Sequence, residues 1–284
     1  MQKVVIIGDD SYLAGGLIPH FKQDDLKCFT FDNWKDNIPA LRQADYVLNF
    51  AIHPDFMKRD MDESEILDIQ LANALKGSKA RQVLMSSRKV YGTTDECVTH
   101  KETDSLSGFD FYSKNKIKTE KALKEILGDN AVILRIANIL GEPVARTGYK
   151  TFIGWISENY ITTGKLVVTQ NETARKDFIP KTFLHRALAA VVHRQLQGTY
   201  NVSSGFGTTV HDVLAGYVGS ENLVLQGQST HPKDQFILDA SKLTTDTDLS
   251  CSKEDINSYL SNCHRVLNEF SIKYRQLCDK QHVR

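Results

Sequence analysis

The first half of the chain repeats one pattern, in which a short apolar run is followed by a longer stretch with apolar residues at helical spacing. Short runs that are apolar throughout are typical of strands buried on both faces of a parallel sheet. Parallel neighbours need a crossover, which the longer stretches can supply as helices. The pattern therefore predicts an α/β fold with a doubly wound parallel sheet. The predicted strands cover residues 3–7, 27–31, 46–50, 82–86 and 131–136, and the predicted helices cover 61–75 and 109–127, with a first crossover opening over 13–21.

Two stretches depart from this pattern. Only residues 33–44 separate the second predicted strand from the third, which leaves room for one short helix and hardly for another strand. After Gly141 the alternation breaks down, and we interpret the remainder as a smaller mixed α/β lobe interleaved with the last sheet strands. The chain is thus divided into residues 1–145 and 146–284. The predicted helices of the second part cover 151–160, 210–217 and 257–276, and its predicted strands, which look isolated, cover 166–169 and 199–203.

Composition excludes several classes of partner. With 35 Lys and Arg against 35 Asp and Glu, no net charge favours nucleic acid or an acidic membrane. The five cysteines are scattered, without a CxxC pair or a histidine at zinc spacing, so we predict reduced thiols and no metal site. The first apolar run is too short for a signal peptide, and no run approaches a membrane span. We expect a cytoplasmic protein whose 41% hydrophobic content suffices for a substantial core.

The turn after the first strand is the candidate cofactor loop. In Gly8-Asp9-Asp10-Ser11-Tyr12-Leu13-Ala14, small residues stand at positions one, four and seven, where a dinucleotide-binding loop of the Rossmann type has them. Such a loop needs a tight turn, amides close to the pyrophosphate, and a helix whose N-terminus faces the anion. An ordinary strand-to-helix turn remains the alternative. We assign to the cofactor Gly8, Ser11, Tyr12 and Leu13 from this loop, Ala51 after the third strand, and the residues Asp32, Tyr112 and Lys116 discussed next.

Asp32 follows the second predicted strand, near the spacing at which a carboxylate accepts hydrogen bonds from the adenosine ribose. A carboxylate there repels a 2′-phosphate, which favours NAD(H) over NADP(H). Lys35 and the short segment that follows leave NADP(H) open. The alternative for Asp32 is a plain turn carboxylate before Asn33.

Three residues form a candidate catalytic set. Tyr112 and Lys116 are four apart in a predicted helix and hence on one face. Carbonyl reduction needs a proton donor, and a phenol, whose ordinary pKa is about 10, serves near neutrality when a cation stabilises its anion. Lys116 supplies the cation, and Ser87, at the end of the fourth predicted strand, can hold the substrate oxygen against the phenol.

With these residues in this order, the sequence resembles the extended short-chain dehydrogenases, the family of nucleotide-sugar epimerases, dehydratases and ketoreductases. The resemblance implies an NAD(P)-dependent enzyme acting on a nucleotide-diphosphate sugar. It extends to residues 134–141, which look like the strand whose asparagine contacts the diphosphate, and this carries Asn138 over as a substrate residue. Residues 175–179 resemble the phosphate-binding Arg-Asp-Phe-Ile segment, with Arg175 and Lys176 at its start. Residues 231–234 resemble a late Arg-Pro-Gly-Asp element in which His231 replaces the phosphate-binding arginine.

Departures from the family pattern favour one branch. The family's 4,6-dehydratases have acidic residues just after the catalytic hydroxyl, where this chain has Arg88 and Lys89, so dehydration is not expected. The short segment after Asp32 and the compact second part look more like the 4-ketoreductases of deoxysugar synthesis. The favoured reaction is therefore reduction of a nucleotide-linked 4-keto sugar. A 4-epimerase with retained NAD is the first alternative, and a non-catalytic NAD(P)-binding regulatory scaffold is the second.

Family resemblance also implies an assembly. The helix with the tyrosine and lysine usually packs with the preceding helix against a twofold mate to form a four-helix bundle. Residues 61–75 and 109–127 would form it here, and their apolar positions look too many for one sheet face to cover. We therefore expect a homodimer, with a monomer as the alternative.

The assignment of Asp32 gives a first testable prediction. Asp32→Ala removes the acceptor for the ribose hydroxyl and also a charge that repels a 2′-phosphate. Calorimetric titration should therefore show that the affinity for NAD(H) falls more than the affinity for NADP(H). Equal changes for the two cofactors would count against Asp32 as the ribose ligand.

Overall fold

The structure is a computed structural model that describes residues 2–143, 152–168, 174–226 and 234–281. Its strands are β1 (Val4–Ile7), β2 (Leu26–Phe29), β3 (Tyr46–Asn49), β4 (Arg81–Ser87), β5 (Thr99–His100), β6 (Ala131–Ile136), β7 (Asn138–Leu140), β8 (Leu166–Val168), β9 (Arg175–Lys176), β10 (Phe178–Pro180), β11 (Gly198–Val202), β12 (Thr208–Thr209), β13 (Leu223–Leu225) and β14 (Ile237–Leu238). Its α-helices are α1 (Ile38–Gln43), α2 (Leu67–Leu75), α3 (Phe111–Leu127), α4 (Phe152–Thr163), α5 (Lys181–His193), α6 (Val210–Val218), α7 (Ser241–Thr247) and α8 (Lys253–Gln281).

Six strands form one parallel sheet in the order β2-β1-β3-β4-β6-β11. The chain winds outward from β1 to β2 in one direction and from β3 through β4 and β6 in the other. This confirms the predicted doubly wound α/β fold, and it puts the topological switch point between the carboxyl ends of β1 and β3. The strand predicted as isolated at 199–203 is instead β11, which pairs with β6 in the main sheet.

The short connection between β2 and β3 has the predicted form. It contains a 3₁₀ helix, Trp34–Asn37, and the six-residue helix α1, with no strand between them. Trp34 and Leu41 are buried against the sheet in one apolar cluster with Leu75 of α2. These two short helices thus pack on the sheet together with α2.

The segment after β1 differs from the prediction. Residues 9–17 form successive turns, in which the amides of Ser11, Ala14 and Leu17 each donate to the carbonyl three residues earlier. Two short 3₁₀ helices, Ile18–His20 and Gln23–Asp25, follow before β2. Gly15 and Gly16 have low helix propensity, and a proline follows three residues later, so the segment does not extend into an α-helix. The expected helix N-terminus facing a pyrophosphate is therefore absent from this described segment.

Helices α2 and α3 cover one face of the sheet, and most of their apolar side chains are buried within the chain. Ile69 and Ala72 of α2 and Leu123 of α3 belong to one cluster with Leu84 and Ile133 of the sheet. Phe111, the first residue of α3, is 46% exposed. The homodimer itself stays a prediction.

The largest apolar cluster joins the sheet to helices from the second half of the chain. It includes Leu134 of β6, Leu188 of α5, Val213 of α6 and Leu260 of α8. The predicted boundary at residue 145 lies outside the described residues, and the two-part division stays a prediction.

Among the described helices, none is both long enough and apolar enough to span a membrane.

Candidate active site

A capped helix start positions Tyr112. The Asp110 carboxylate accepts from the Ser113 amide at 2.8 Å, and the Ser113 hydroxyl oxygen accepts from the Asp110 amide at 3.1 Å. This reciprocal pair satisfies amides that the first turn of a helix leaves without partners. Tyr112 therefore lies in a fixed first turn of α3, with Lys116 one turn later on the same face.

Lys116 places a nearly buried cation beside the phenol. Only 5% of Lys116 is exposed, and its ammonium lies 5.9 Å from the ring centroid of Tyr112 and 5.1 Å from that of Phe56. The described residues provide no hydrogen-bond acceptor for this ammonium. Burying an ammonium without an acceptor is costly, so this position fits a lysine that donates to hydroxyls of a bound cofactor ribose.

Ser87 is the last residue of β4, and its hydroxyl accepts from the Lys89 amide at 3.3 Å, at the start of the 3₁₀ helix Arg88–Tyr91. The Lys89 ammonium donates to Asp110 at 2.8 Å and lies 5.8 Å from the centroid of the Tyr112 ring. These contacts hold the turn after Ser87 against the start of α3. The structure thus brings the three predicted catalytic residues to one edge of the sheet.

A buried ion pair beneath the site connects its parts. Arg135 of β6 donates to Glu120 of α3 at 2.8 Å, and both residues are at most 2% exposed. Ser86, the neighbour of Ser87, donates to Glu120 at 2.5 Å, and Arg135 also donates to the hydroxyl of Tyr91 at 3.0 Å. Because the same two groups contact β4, β6 and α3, they set the position of the serine strand relative to the tyrosine helix.

Arg88 is held in a second ion cluster. Its guanidinium makes two hydrogen bonds to Asp234, at 2.7 and 2.9 Å, and lies 4.0 Å from the ring centroid of Phe236. Lys176 donates to the same carboxylate at 3.1 Å. Although burial acts to raise the pKa of Asp234, Arg88 and Lys176 hold it below its usual value. The carboxylate nearest Arg88 is therefore an ionised ion-pair partner and is unsuited to act as an acid.

The cofactor residues Gly8 and Ala51 lie together at the switch point. Gly8 has φ +76°, and a Cβ added there would lie 2.9 Å from the Ala51 amide nitrogen. Glycine is required at this position for both reasons. The Ala51 amide donates to Asn49 at 3.0 Å, which fixes the turn after β3. Gly8 and Ala51 thus approach each other at the carboxyl ends of β1 and β3, and their cofactor role stays a prediction.

Contacts from Glu142 and from α5 hold the candidate cofactor loop. Tyr12 donates to the Glu142 carbonyl at 2.9 Å, and the Lys181 ammonium lies 4.1 Å from the centroid of its ring. The His185 Nε2 is 2.8 Å from the Leu13 carbonyl oxygen. The side chain of Tyr12 thus faces Glu142 and Lys181, and the cofactor roles of Tyr12 and Leu13 stay predictions. Ser11 closes the turn, with its hydroxyl accepting from the Ala14 amide at 3.2 Å.

The second strand ends earlier than predicted, at Phe29, so Asp32 lies in an exposed turn three residues beyond it. Ile7 pairs with Phe29, and Asp32 is therefore on the same sheet edge as Gly8. This location is compatible with a ribose ligand, and the role stays a prediction.

The predicted substrate residues are only partly brought together. Asn138 is the first residue of β7, two positions after the end of β6, and pairs with Phe178 of β10. Lys176 lies in the ion cluster with Arg88 and Asp234. Arg175 borders a separate cavity, which is treated below. His231 lies outside the described residues.

Sequence reasoning missed several supporting residues. Asp177 is fully buried, and burial raises its pKa to about 6, while its carboxylate accepts from the Ser204 amide and hydroxyl and from the Leu238 amide. It joins the end of β9, which carries Lys176, to β14, which lies shortly after Asp234. The Asp110 cap was readable from its spacing to Ser113. No local signal marks Asp177, since its donors come from segments far along the chain.

Comparison with known proteins bears on this site. The model of the NAD dependent epimerase/dehydratase family matches residues 22–203, well over half of the chain. This match begins after the candidate cofactor loop and includes Ser87, Tyr112 and Lys116. No curated protein matches the sequence significantly.

Solved structures share the fold at low sequence identity. The UDP-N-acetylglucosamine 4-epimerase of Methanobrevibacter ruminantium M1 is 16% identical, with a TM-score of 0.75 over 93% of this chain and 97% of that chain. The dTDP-4-dehydrorhamnose reductase of Yersinia enterocolitica is 15% identical, with a TM-score of 0.74 over 93% and 100%. The dTDP-glucose 4,6-dehydratase of Bacillus anthracis, in complex with NAD, is 13% identical, with a TM-score of 0.74 over 95% and 97%. These likenesses establish the fold.

Loop anchoring gives a second testable prediction. Tyr12→Phe keeps the ring beside Lys181 but removes the hydrogen bond to Glu142, so the loop loses a restraint of ~1 kcal/mol. We expect NADH affinity, measured by fluorescence titration, to fall about fivefold.

Tyr217→Phe is the matched control. Its hydroxyl donates to Gly141, the neighbour of Glu142, at 2.9 Å, and this bond does not involve the loop. This variant should bind NADH like the unmodified protein. Equal losses in the two variants would contradict a specific role of the Tyr12 anchor.

Proposed function

Because the chain belongs to the NAD-dependent epimerase/dehydratase family, we propose that it is a nucleotide-sugar oxidoreductase that reduces a nucleotide-linked 4-keto sugar. One observation carries the proposal: Tyr112 and Lys116 share one face at the capped start of α3, with the ammonium nearly buried and free to donate. The serine strand ends beside them. This arrangement suits proton delivery to a carbonyl oxygen.

Each of the three residues has a separate task. Ser87 holds the carbonyl oxygen of the sugar by donating a hydrogen bond. Tyr112 gives its phenolic proton to that oxygen as reduction proceeds, and the Lys116 charge stabilises the phenolate that remains. When bound, a nicotinamide cofactor supplies the hydride.

The residues around the switch point fit such a cofactor. Gly8 permits the close approach of backbone, and Lys116 offers donors to a ribose. We assign the cofactor to Gly8, Ser11, Tyr12, Leu13, Asp32, Ala51, Tyr112 and Lys116. NAD(H) is favoured over NADP(H) because of the Asp32 charge.

The sugar nucleotide would lie across the carboxyl ends of β4 and β6. Asn138 is available there, and Lys176 offers a cation to the diphosphate. His231 is retained as a substrate residue from the family resemblance. A nucleotide-diphosphate sugar is therefore the proposed partner.

Reduction is favoured over dehydration by the charges next to Ser87. Arg88 and Lys89 are basic and are paired with Asp234 and Asp110. Although burial acts to raise the pKa of Asp110, the hydrogen bonds from Lys89 and Ser113 together hold it below its usual value. Neither carboxylate holds a proton that could assist loss of water from the sugar.

The reaction type gives a third testable prediction. Purified protein is mixed with nucleotide 4-keto sugars and NADH or NADPH, and the absorbance of the reduced cofactor is followed. We expect one molecule of reduced cofactor to be consumed per molecule of sugar. A reductase releases its oxidised cofactor after each turnover, so the reduced cofactor should be consumed until the sugar substrate is exhausted. If the protein instead interconverts two 4-hydroxy sugars without consuming added cofactor, it is a 4-epimerase.

Removal of the phenolic hydroxyl of Tyr112, the proposed general acid, gives a fourth prediction. Tyr112→Phe should lower turnover by roughly 100-fold or more, the scale of a lost general acid. Cofactor affinity should stay nearly unchanged, because the ring and Lys116 remain. Near-normal turnover of this variant would end the catalytic assignment of Tyr112.

A further inference from the structure

Strand β9 directs its two basic residues to opposite faces. Successive side chains of a strand alternate in direction. Lys176 points to Asp234 and the Arg88 cluster next to the catalytic serine. Arg175 points the other way, where its guanidinium lies within 3.5 Å of the Gly207 carbonyl oxygen. The two residues therefore cannot serve one phosphate group together.

A cavity of about 300 Å³ lies on the Arg175 side. Its wall includes Lys253, Phe206 and Asp212, together with the two threonines of β12. In the described parts of the chain, neither Arg175 nor Lys253 forms an ion pair with a carboxylate. Among the described residues of the wall, Asp212 is the single acidic one, and together these residues carry a net positive charge.

The donors of this wall match an oxyanion. Arg175 can donate two parallel hydrogen bonds to phosphate oxygens, and Lys253 adds a second cation. Thr209 accepts from the Asp212 amide at 3.0 Å, which leaves its hydroxyl hydrogen for a ligand. Phe206 offers a ring face, with the Lys253 ammonium 5.8 Å from its centroid.

We propose that this cavity is a second binding site, separate from the catalytic edge, for a phosphate monoester, either free or on a small nucleotide. Its volume is at the lower end of the range for small-ligand pockets, which suits a ligand of this size. Binding in this cavity does not depend on catalysis, so this proposal is independent of the proposed function.

Calorimetric titration with uridine 5′-monophosphate and with inorganic phosphate tests the site. Arg175→Gln and Lys253→Gln should each weaken binding about tenfold or more, the scale of a lost charged hydrogen bond. Asp212→Asn removes the negative charge from the described wall of the cavity and should therefore tighten binding of both probes. The two probes separate the sources of the phosphate, since only the nucleotide can also use Phe206.

Lys176→Gln is the matched control, because it neutralises the adjacent residue on the opposite face. It should leave binding in the cavity unchanged. Loss of binding in Lys176→Gln with retention in Arg175→Gln would place the probe in the substrate site and overturn the proposal. Absence of binding for both probes would also overturn it. Thermal unfolding of each variant verifies that it is folded, and the activity assay remains a separate measurement.

Discussion

The ion pair between Glu120 and Arg135 is the interaction on which the candidate site most depends. It is buried between α3 and β6, and through Ser86 it also reaches β4. Removal of one partner of a buried pair costs about 3–5 kcal/mol, because the other charge is left without compensation. The serine comes from β4, whereas the tyrosine and the lysine come from α3, and this pair is the shared support that sets their separation. Catalytic geometry and folding stability are therefore linked through the same two side chains.

Much of the fold was predictable because a buried parallel strand leaves a strong local signal. The five predicted strands and the one-helix connection after β2 are confirmed, since each depends on residues near one another in sequence. The absence of a helix directly after β1 also has a local cause, because Gly15 and Gly16 have low helix propensity. The expected helix was inferred instead from the resemblance of the turn to a cofactor loop. The early end of β2 was missed because the apolar run continues to Phe31, which is exposed.

The remaining features depend on contacts between distant segments, which no local pattern reports. Arg88 and Asp234 are 146 positions apart, and Tyr12 and Glu142 are 130 apart. The opposite directions of Arg175 and Lys176 likewise follow from the register of a two-residue strand with β12. A sequence motif can identify such residues as candidates for a functional site. Only the three-dimensional structure shows which of them face one another.

The anchored loop between β1 and β2 has a thermodynamic consequence. In most doubly wound folds a helix that follows the first strand orders the phosphate-binding turn from within. Here the order is supplied by α5 and the segment at Glu142, which lie far along the chain. Free energies of coupling are reciprocal, so under the proposed function a bound dinucleotide would stabilise these contacts by as much as the contacts stabilise its binding. Cofactor binding would then also hold α5 and the segment at Glu142 against the loop.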